Sequence, residues 1–166
     1  MEGSGSANLP LMMSIPRGLF TIVKEILRHI LRRPVVGICV LGRTPDGRIL
    51  LIRRADTGQW ALPGGTLEWG ETLRACAQRE LDEEGGVDSP TLGRLLGVYS
   101  DLERDPRFHA VTVVVEATIE EPRRSPQNPA EILEVGLFDV SSLPPTLSHG
   151  GRDMLQNALS AALVWE

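Results

Sequence analysis

The chain is poor in several features that would narrow its role at once. It has two cysteines, Cys39 and Cys76, far apart in sequence. Thiols spaced like that build neither a disulfide framework nor a metal knuckle, and they read as small buried hydrophobes of a reducing, cytoplasmic protein. No apolar run approaches the roughly 20 residues that span a bilayer, so stable membrane insertion is not expected. Met1 to Ser6 carry no basic patch and precede no small-residue cleavage site, which argues against a secretory signal; residues 1–16 read as a flexible N-terminus. Positive charge is not in excess either. Lys and Arg number 17 against 22 Asp and Glu, a net charge of -5, which excludes a general pull toward nucleic acid or anionic lipid. Nor is there a Ser- or Cys-based nucleophile constellation, an internal repeat, or a low-complexity tract beyond the first few residues.

What is present suits one folded domain. The 166 residues are 42% hydrophobic and 23% charged, enough for a real core and too few for a second one of similar size. Gly18 to Arg33 has a helical period: Leu19, Ile22, Val23, Ile26, Leu27, Ile30 and Leu31 share a face, with basic residues largely opposite. We read residues 17–33 as an amphipathic helix, packed on its own domain or on a second subunit; a membrane surface is the alternative. Pro34 ends it, and a different texture runs from 34 to 166. Strand-like runs occur at "VVGICVLG", "RILLIRR", "QWALPGG" (a short strand that stops at Pro63), "LGRLLGVYS", "HAVTVVVEATI" and "ILEVGLFDV". A turn, Thr44 to Gly47, joins the first two. One helix is expected from Thr72 to Glu84 and a closing helix over "GGRDMLQNALSAALVW". The sum is an α/β fold with a mixed sheet flanked by helices, plus an extra N-terminal helix.

The acidity is concentrated in "GGTLEWGETLRACAQRELDEEGGV", Gly64 to Val87. On a helix with Leu73 as origin, Cys76 and Ala77 fall either side of it, Glu80 and Glu84 lie about 20° away on opposite sides, and Glu83 about 80° away. Carboxylates therefore share the apolar stripe. An isolated buried carboxylate costs several kcal/mol, and like charges one turn apart repel further. A hard cation that collects the oxygens relieves both, and Mg²⁺ suits such a site because it takes oxygen ligands and keeps room for water and phosphate. Gly64 and Gly65 let the backbone approach a ligand closely and free a carbonyl for it. Arg79 is placed to tie Glu71 to the helix.

Gly65, Glu71, Arg79, Glu80, Leu81, Glu83, Glu84, Gly86 and Val87 together resemble the complete Nudix box, nine restricted positions across 23 residues. The resemblance extends from about Pro34 to the C-terminus through "WALPGG" and "ILEVGLFDVSSLP". It implies an α/β/α sandwich and hydrolysis of a nucleoside diphosphate linked to another moiety. Carried over by position, it implies Glu80, Glu83 and Glu84 as Mg²⁺ or Mn²⁺ ligands, joined by the carbonyl of Gly64 or Gly65, with Glu71 and Arg79 structural. A base from a loop near the last strands is also implied; Glu131 is the first candidate and Glu134 the second. The segment Gly97 to Val115 is similar to the small ADP-ribose pyrophosphatase type, with Phe108 where that type has glycine. Arg53, Arg54, Arg104 and Arg107 are candidates for binding phosphate, and Trp60 and Tyr99 for stacking on a base. The expected reaction is ADP-ribose to AMP and ribose 5-phosphate. A nucleoside triphosphate pyrophosphohydrolase and a non-catalytic ADP-ribose-binding regulator are the alternatives, and a homodimer is the implied assembly.

Overall fold

The computed structural model describes residues 21–27, 33–105, 107–160 and 162–166. Contacts divide the chain into two units, 1–33 and 34–166. In the first, residues 21–27 are helical (α1). The remainder of the expected helix, apart from Arg33, lies outside the described residues, as does the stretch 1–16. No helix among the described residues is long and apolar enough to cross a membrane.

The second unit is built on one eight-stranded mixed sheet: β1 (Val35–Arg43), β2 (Ile49–Arg54), β3 (Trp60–Ala61), β4 (Gly64–Thr66), β5 (Thr91–Tyr99), β6 (Ala110–Thr118), β7 (Ile132–Phe138) and β8 (Val164–Trp165). The main order is β3-β2-β1-β6-β5-β8, with β4 pairing β1 and β7 pairing β2. The β1–β6 pair is parallel, from Val35 opposite Ala110 to Arg43 opposite Thr118. A parallel pair needs cover on both faces, which is why β1 reads as a nearly continuous apolar run. The turn at Thr44–Gly47 closes with a Gly47 N–H to Thr44 carbonyl bond of 2.9 Å and Gly47 at φ +91. Beyond it β1 and β2 pair only at Arg43 and Ile49 and then part, so that β4 can pair with β1 instead.

Alternation along the strands makes two cores. Leu41, Ile49, Leu51 and Tyr99 meet Met154, Leu155 and Ala158 of α3 (His149–Leu159) on one face. Val40 and Leu50 meet Cys76, Ala77 and Leu81 of α2 (Leu73–Glu83) on the other. The layers are helix, sheet, helix. Thr72 caps α2, its side chain accepting from the Ala75 N–H at 3.2 Å. Gly86, in the left-handed region at φ +64, turns the chain away, and the Val87 N–H returns to the Leu81 carbonyl at 3.0 Å.

Two expectations are corrected. Gly64–Thr66 extends as β4, its register set by Gly37–Cys39. The closing helix stops at Leu159, and Val164–Trp165 leave it to pair in parallel with Gly97–Val98. An apolar stretch of that length serves helix or strand equally, and the free edge of β5 selects strand.

Candidate active site

The site is assembled around the last two turns of α2. Glu80 sits on the same stripe as Cys76 and Ala77 and is only 7% exposed. It lies directly under Gly65, where any Cβ would collide with its carboxylate. Gly64 is equally constrained, its missing Cβ lying 2.9 Å from Cys39 Cα. These two glycines let β4 press against both β1 and the buried glutamate. Glu84, one turn on from Glu80, accepts the Gly64 N–H at 2.9 Å.

Arg79 organises the acidic side chains beside it. Its Nε and Nη2 donate to the two oxygens of Glu71 at 3.0 and 3.1 Å, a forked pair, and Nη2 also reaches the Thr66 carbonyl at 3.2 Å. Its Nη1 donates to Glu80 at 2.7 Å and to Glu83 at 3.4 Å. Glu71 takes a further bond from the Glu68 N–H, and with Arg79 first among the causes its carboxyl is held down to about 2. The buried glutamates move the other way. Burial raises Glu80, against the opposing pull of Arg79. Burial raises Glu84 to about 7, with the charges of Glu80 and Glu131 adding and the Gly64 N–H and Arg54 opposing. Cys39 is pushed up to about 12, by burial first and then by Glu84 and Glu80.

A cleft of about 270 Å³ opens over these groups, lined by Arg79, Glu80, Glu83, Glu84, Gln127, Asn128, Glu131 and Ile132. The chain between β6 and β7 thus brings Glu131 to the carboxylates of α2. An Asn128 turn shapes its approach, with the Ala130 N–H on Asn128 Oδ1 at 3.2 Å and the Glu131 N–H on the Asn128 carbonyl at 3.1 Å. On its other side the Glu131 carbonyl accepts the Ala55 N–H at 2.7 Å. Glu134 is not in the cleft; it pairs with Arg53 at 3.5 Å on an exposed surface.

The β2–β7 register slips between Arg53 and Arg54, a bulge that aims the two arginines differently. Arg54 reaches the Glu84 side, where its charge steadies that carboxylate. It also forks onto Asp56 at 3.0 and 2.8 Å. Arg107, held by Asp105 at 3.0 and 2.8 Å, approaches the same Asp56 at 3.8 Å. Arg54 and Arg107, distant in sequence, therefore meet at one carboxylate.

Three expected substrate contacts lie elsewhere. Tyr99 is 1% exposed inside the core, its hydroxyl accepting from Asn157 at 3.3 Å, so its ring has no free face for a base. Trp60 packs edge-on to Phe138 with ring centroids 4.8 Å apart and belongs to the α3-side core. Arg104 stacks over Tyr99 at 4.5 Å and is tied by ion pairs to Glu166 and Asp153. It lines a separate cleft of about 660 Å³ with Asp101, Glu103, Arg152 and Gln156. In all three cases long-range packing uses the side chain that the sequence leaves unassigned. Gln127 and Asn128 also line the cleft, and Asn-Pro ahead of Glu131 is the turn signal in the sequence that marks their place.

The donor set suits a hard divalent cation: Glu80, Glu83, Glu84 and Glu131, all carboxylates, line one cleft. Glu80 and Glu84 are raised because burial outweighs the opposing charges of Arg79 and Arg54. In the present rotamers Glu80 and Glu83 turn to Arg79 and Glu84 to Gly64. Among the described residues no group of three or more Asp, Glu, His or Cys side chains is already drawn around one ion position. Holding an ion therefore requires these side chains to rotate.

Residues 31–158 match the model of the NUDIX domain. The chain belongs to the Nudix family. As a Nudix hydrolase it is 39% identical over 102 residues to an ADP-ribose pyrophosphatase of Methanocaldococcus jannaschii, a match that spans 60% of this chain and 59% of that relative's length. It is 34% identical over 139 residues to a MutT-like protein of Streptomyces ambofaciens, covering 73% of this chain and 85% of the relative. Among solved structures, a MutT NUDIX hydrolase from Burkholderia pseudomallei superposes with a TM-score of 0.63 at 32% identity, over 76% of this chain and 98% of that one.

Proposed function

We propose that this Nudix hydrolase cleaves the diphosphate linkage of a nucleoside diphosphate derivative, with ADP-ribose giving AMP and ribose 5-phosphate. One observation carries the reading: four carboxylates, two of them raised by burial, line a single cleft with Arg54 beside it. The relative named as an ADP-ribose pyrophosphatase supports this choice of substrate. The MutT-like relative supports the competing one, a nucleoside triphosphate losing pyrophosphate.

In this reading Glu80, Glu83 and Glu84 hold Mg²⁺ (or Mn²⁺), with a carbonyl of Gly64 or Gly65 as a further donor. A divalent cation held there would supply charge neutralisation for the diphosphate and a lowered pKa for the attacking water. Arg79 and Glu71 keep β4 and α2 in register. Arg54 and Arg107 exchange part of their bonding with Asp56 and Asp105 for phosphate oxygens. Glu131, at the rim of the cleft, accepts the proton of the attacking water. Water then supplies OH to one phosphorus, the bond from that phosphorus to the bridging oxygen breaks, and the departing phosphate keeps the bridging oxygen.

The test is a screen of nucleoside diphosphate and triphosphate derivatives with Mg²⁺, with products separated and identified. ADP-ribose should give equimolar AMP and ribose 5-phosphate. Pyrophosphate release from triphosphates at a higher kcat/KM would favour the competing substrate, and tight ADP-ribose binding without turnover would favour a regulator.

A further inference from the structure

The proline-rich stretch between β6 and β7 does more than connect two strands. Its residues 123–127 lie along the C-terminal end of α2. The Arg123 N–H donates to the Gly86 carbonyl at 3.0 Å, and the Gln127 N–H to the Glu83 carbonyl at 2.8 Å. The Glu83 carbonyl is among those that a helix end leaves without an internal partner. Gly86 accommodates this docking in two ways. It sits at φ +64, and a Cβ there would collide with the main chain of Arg124.

Side chains fasten the same contact. The Arg124 guanidinium bridges Asp82 and Asp88, and Gln127 Nε2 donates to the second oxygen of Asp82 at 3.0 Å. Asp82 lies between Leu81 and Glu83 in sequence but points away from the carboxylate cleft, and neither it nor Arg124 lines that cleft. Immediately after Gln127 the chain turns at Asn128 and delivers Glu131, whose carbonyl is then fixed by Ala55. Glu131 is thus suspended between a strap on α2 and the end of β2. Pro126 and Pro129 limit how far the intervening backbone can absorb a shift at one anchor.

We propose that Asp82 and Arg124 are positioning residues: their ion pair seats the 123–127 strap on α2 and thereby sets Glu131 against the carboxylates of Glu80, Glu83 and Glu84. This rests on the reading that Glu131 takes the proton of the attacking water. The pair itself is half exposed, with side-chain accessibilities of 43% and 42%, so it stabilises the fold little. Its loss is therefore read in turnover rather than in melting temperature.

The test uses the full chain with ADP-ribose and saturating Mg²⁺, measuring kcat, KM and thermal midpoint for Asp82→Asn, Arg124→Met and Arg124→Lys. Each is made in the wild-type and in the Glu131→Gln background. Displacing a reacting group by a fraction of an ångström to 1 Å predicts a fall in kcat of about 5- to 50-fold for Arg124→Met, with KM within about twofold. Arg124→Lys should recover most of the loss, because it keeps the charge. In the Glu131→Gln background Arg124→Met should lower kcat by less than about twofold more, since the group it positions has already been disabled. Wild-type kcat in Arg124→Met and Asp82→Asn, while Glu131→Gln is impaired, would overturn the proposal alone. Equal losses in both backgrounds, or a loss that follows a lowered thermal midpoint and is not restored by lysine, would also overturn it. Wild-type kcat in Glu131→Gln would remove the reading of Glu131 as well.

Discussion

Glu84 makes the carboxylate site measurable without substrate. Its carboxyl is raised from 4.5 to about 7, burial being the first cause. A group whose folded pKa is raised binds a proton more tightly in the folded state, so its contribution to stability is fully present below 4.5 and is lost as pH rises through about 7. The metal-free protein at pH 8 carries the whole penalty. The rise from 4.5 to about 7 corresponds to about 3 kcal/mol, which residual water access reduces to about 2 kcal/mol. Glu84→Gln removes the charge, keeps the shape and still offers an oxygen to the Gly64 N–H. In a chelator at pH 8 the variant should therefore melt about 4–8 °C above wild type, at 2–4 °C per kcal/mol for a domain of this size. The gap should close as pH falls to 4.5. Added Mg²⁺ should reverse the order by stabilising the ionised wild type. The assay is a set of thermal melts from pH 4.5 to 8, with chelator and with Mg²⁺. A Glu84→Gln variant that melts at or below wild type at pH 8 without metal, or a gap that does not change with pH, would refute the reasoning.

Further outcomes follow from the same geometry. Apparent Mg²⁺ affinity, measured by calorimetry, should weaken by about tenfold for each pH unit below 7, because Glu84 must shed a proton to bind; a flat profile would exclude it as a ligand. Gly65→Ala places a methyl group against the Glu80 carboxylate and should lower kcat/KM by at least about tenfold through displacement of reacting groups. Wild-type kinetics in that variant would show that Glu80 is not held from above. Tyr99→Phe removes only the bond from Asn157, so stability should fall by about 1 kcal/mol while KM stays unchanged; a large rise in KM would show that the hydroxyl reaches the substrate.

The core of this account was readable because two periodicities coincide. The 3.6-residue spacing of Leu73, Cys76, Ala77 and Leu81 fixes which way α2 faces, and the same count places Glu80 on the buried stripe, where the structure has it. Val35–Arg43 and Ile49–Arg54 are legible as strands because each carries a β-branched or aliphatic run, largely buried, ahead of its terminal arginines. What escaped depends on distant partners. Gly64–Thr66 has no side-chain pattern and becomes a strand only because Gly37–Cys39 accepts it. Val164–Trp165 turns from helix to strand for the edge of β5. Arg104 looks like a free phosphate ligand until Glu166, 62 residues on, claims it. Arg124 and Asp82 are 42 residues apart, and nothing local marks them as a pair.

The most direct measurement is product formation from ADP-ribose by the full chain across a Mg²⁺ titration, wild type beside Glu83→Gln/Glu84→Gln. The account predicts metal-dependent release of AMP and ribose 5-phosphate in equal amounts, and a loss of about 10²-fold or more in kcat for a double variant that remains folded. Turnover at the wild-type rate in the double variant, or a wild-type rate indifferent to Mg²⁺ and abolished by no chelator, would contradict it.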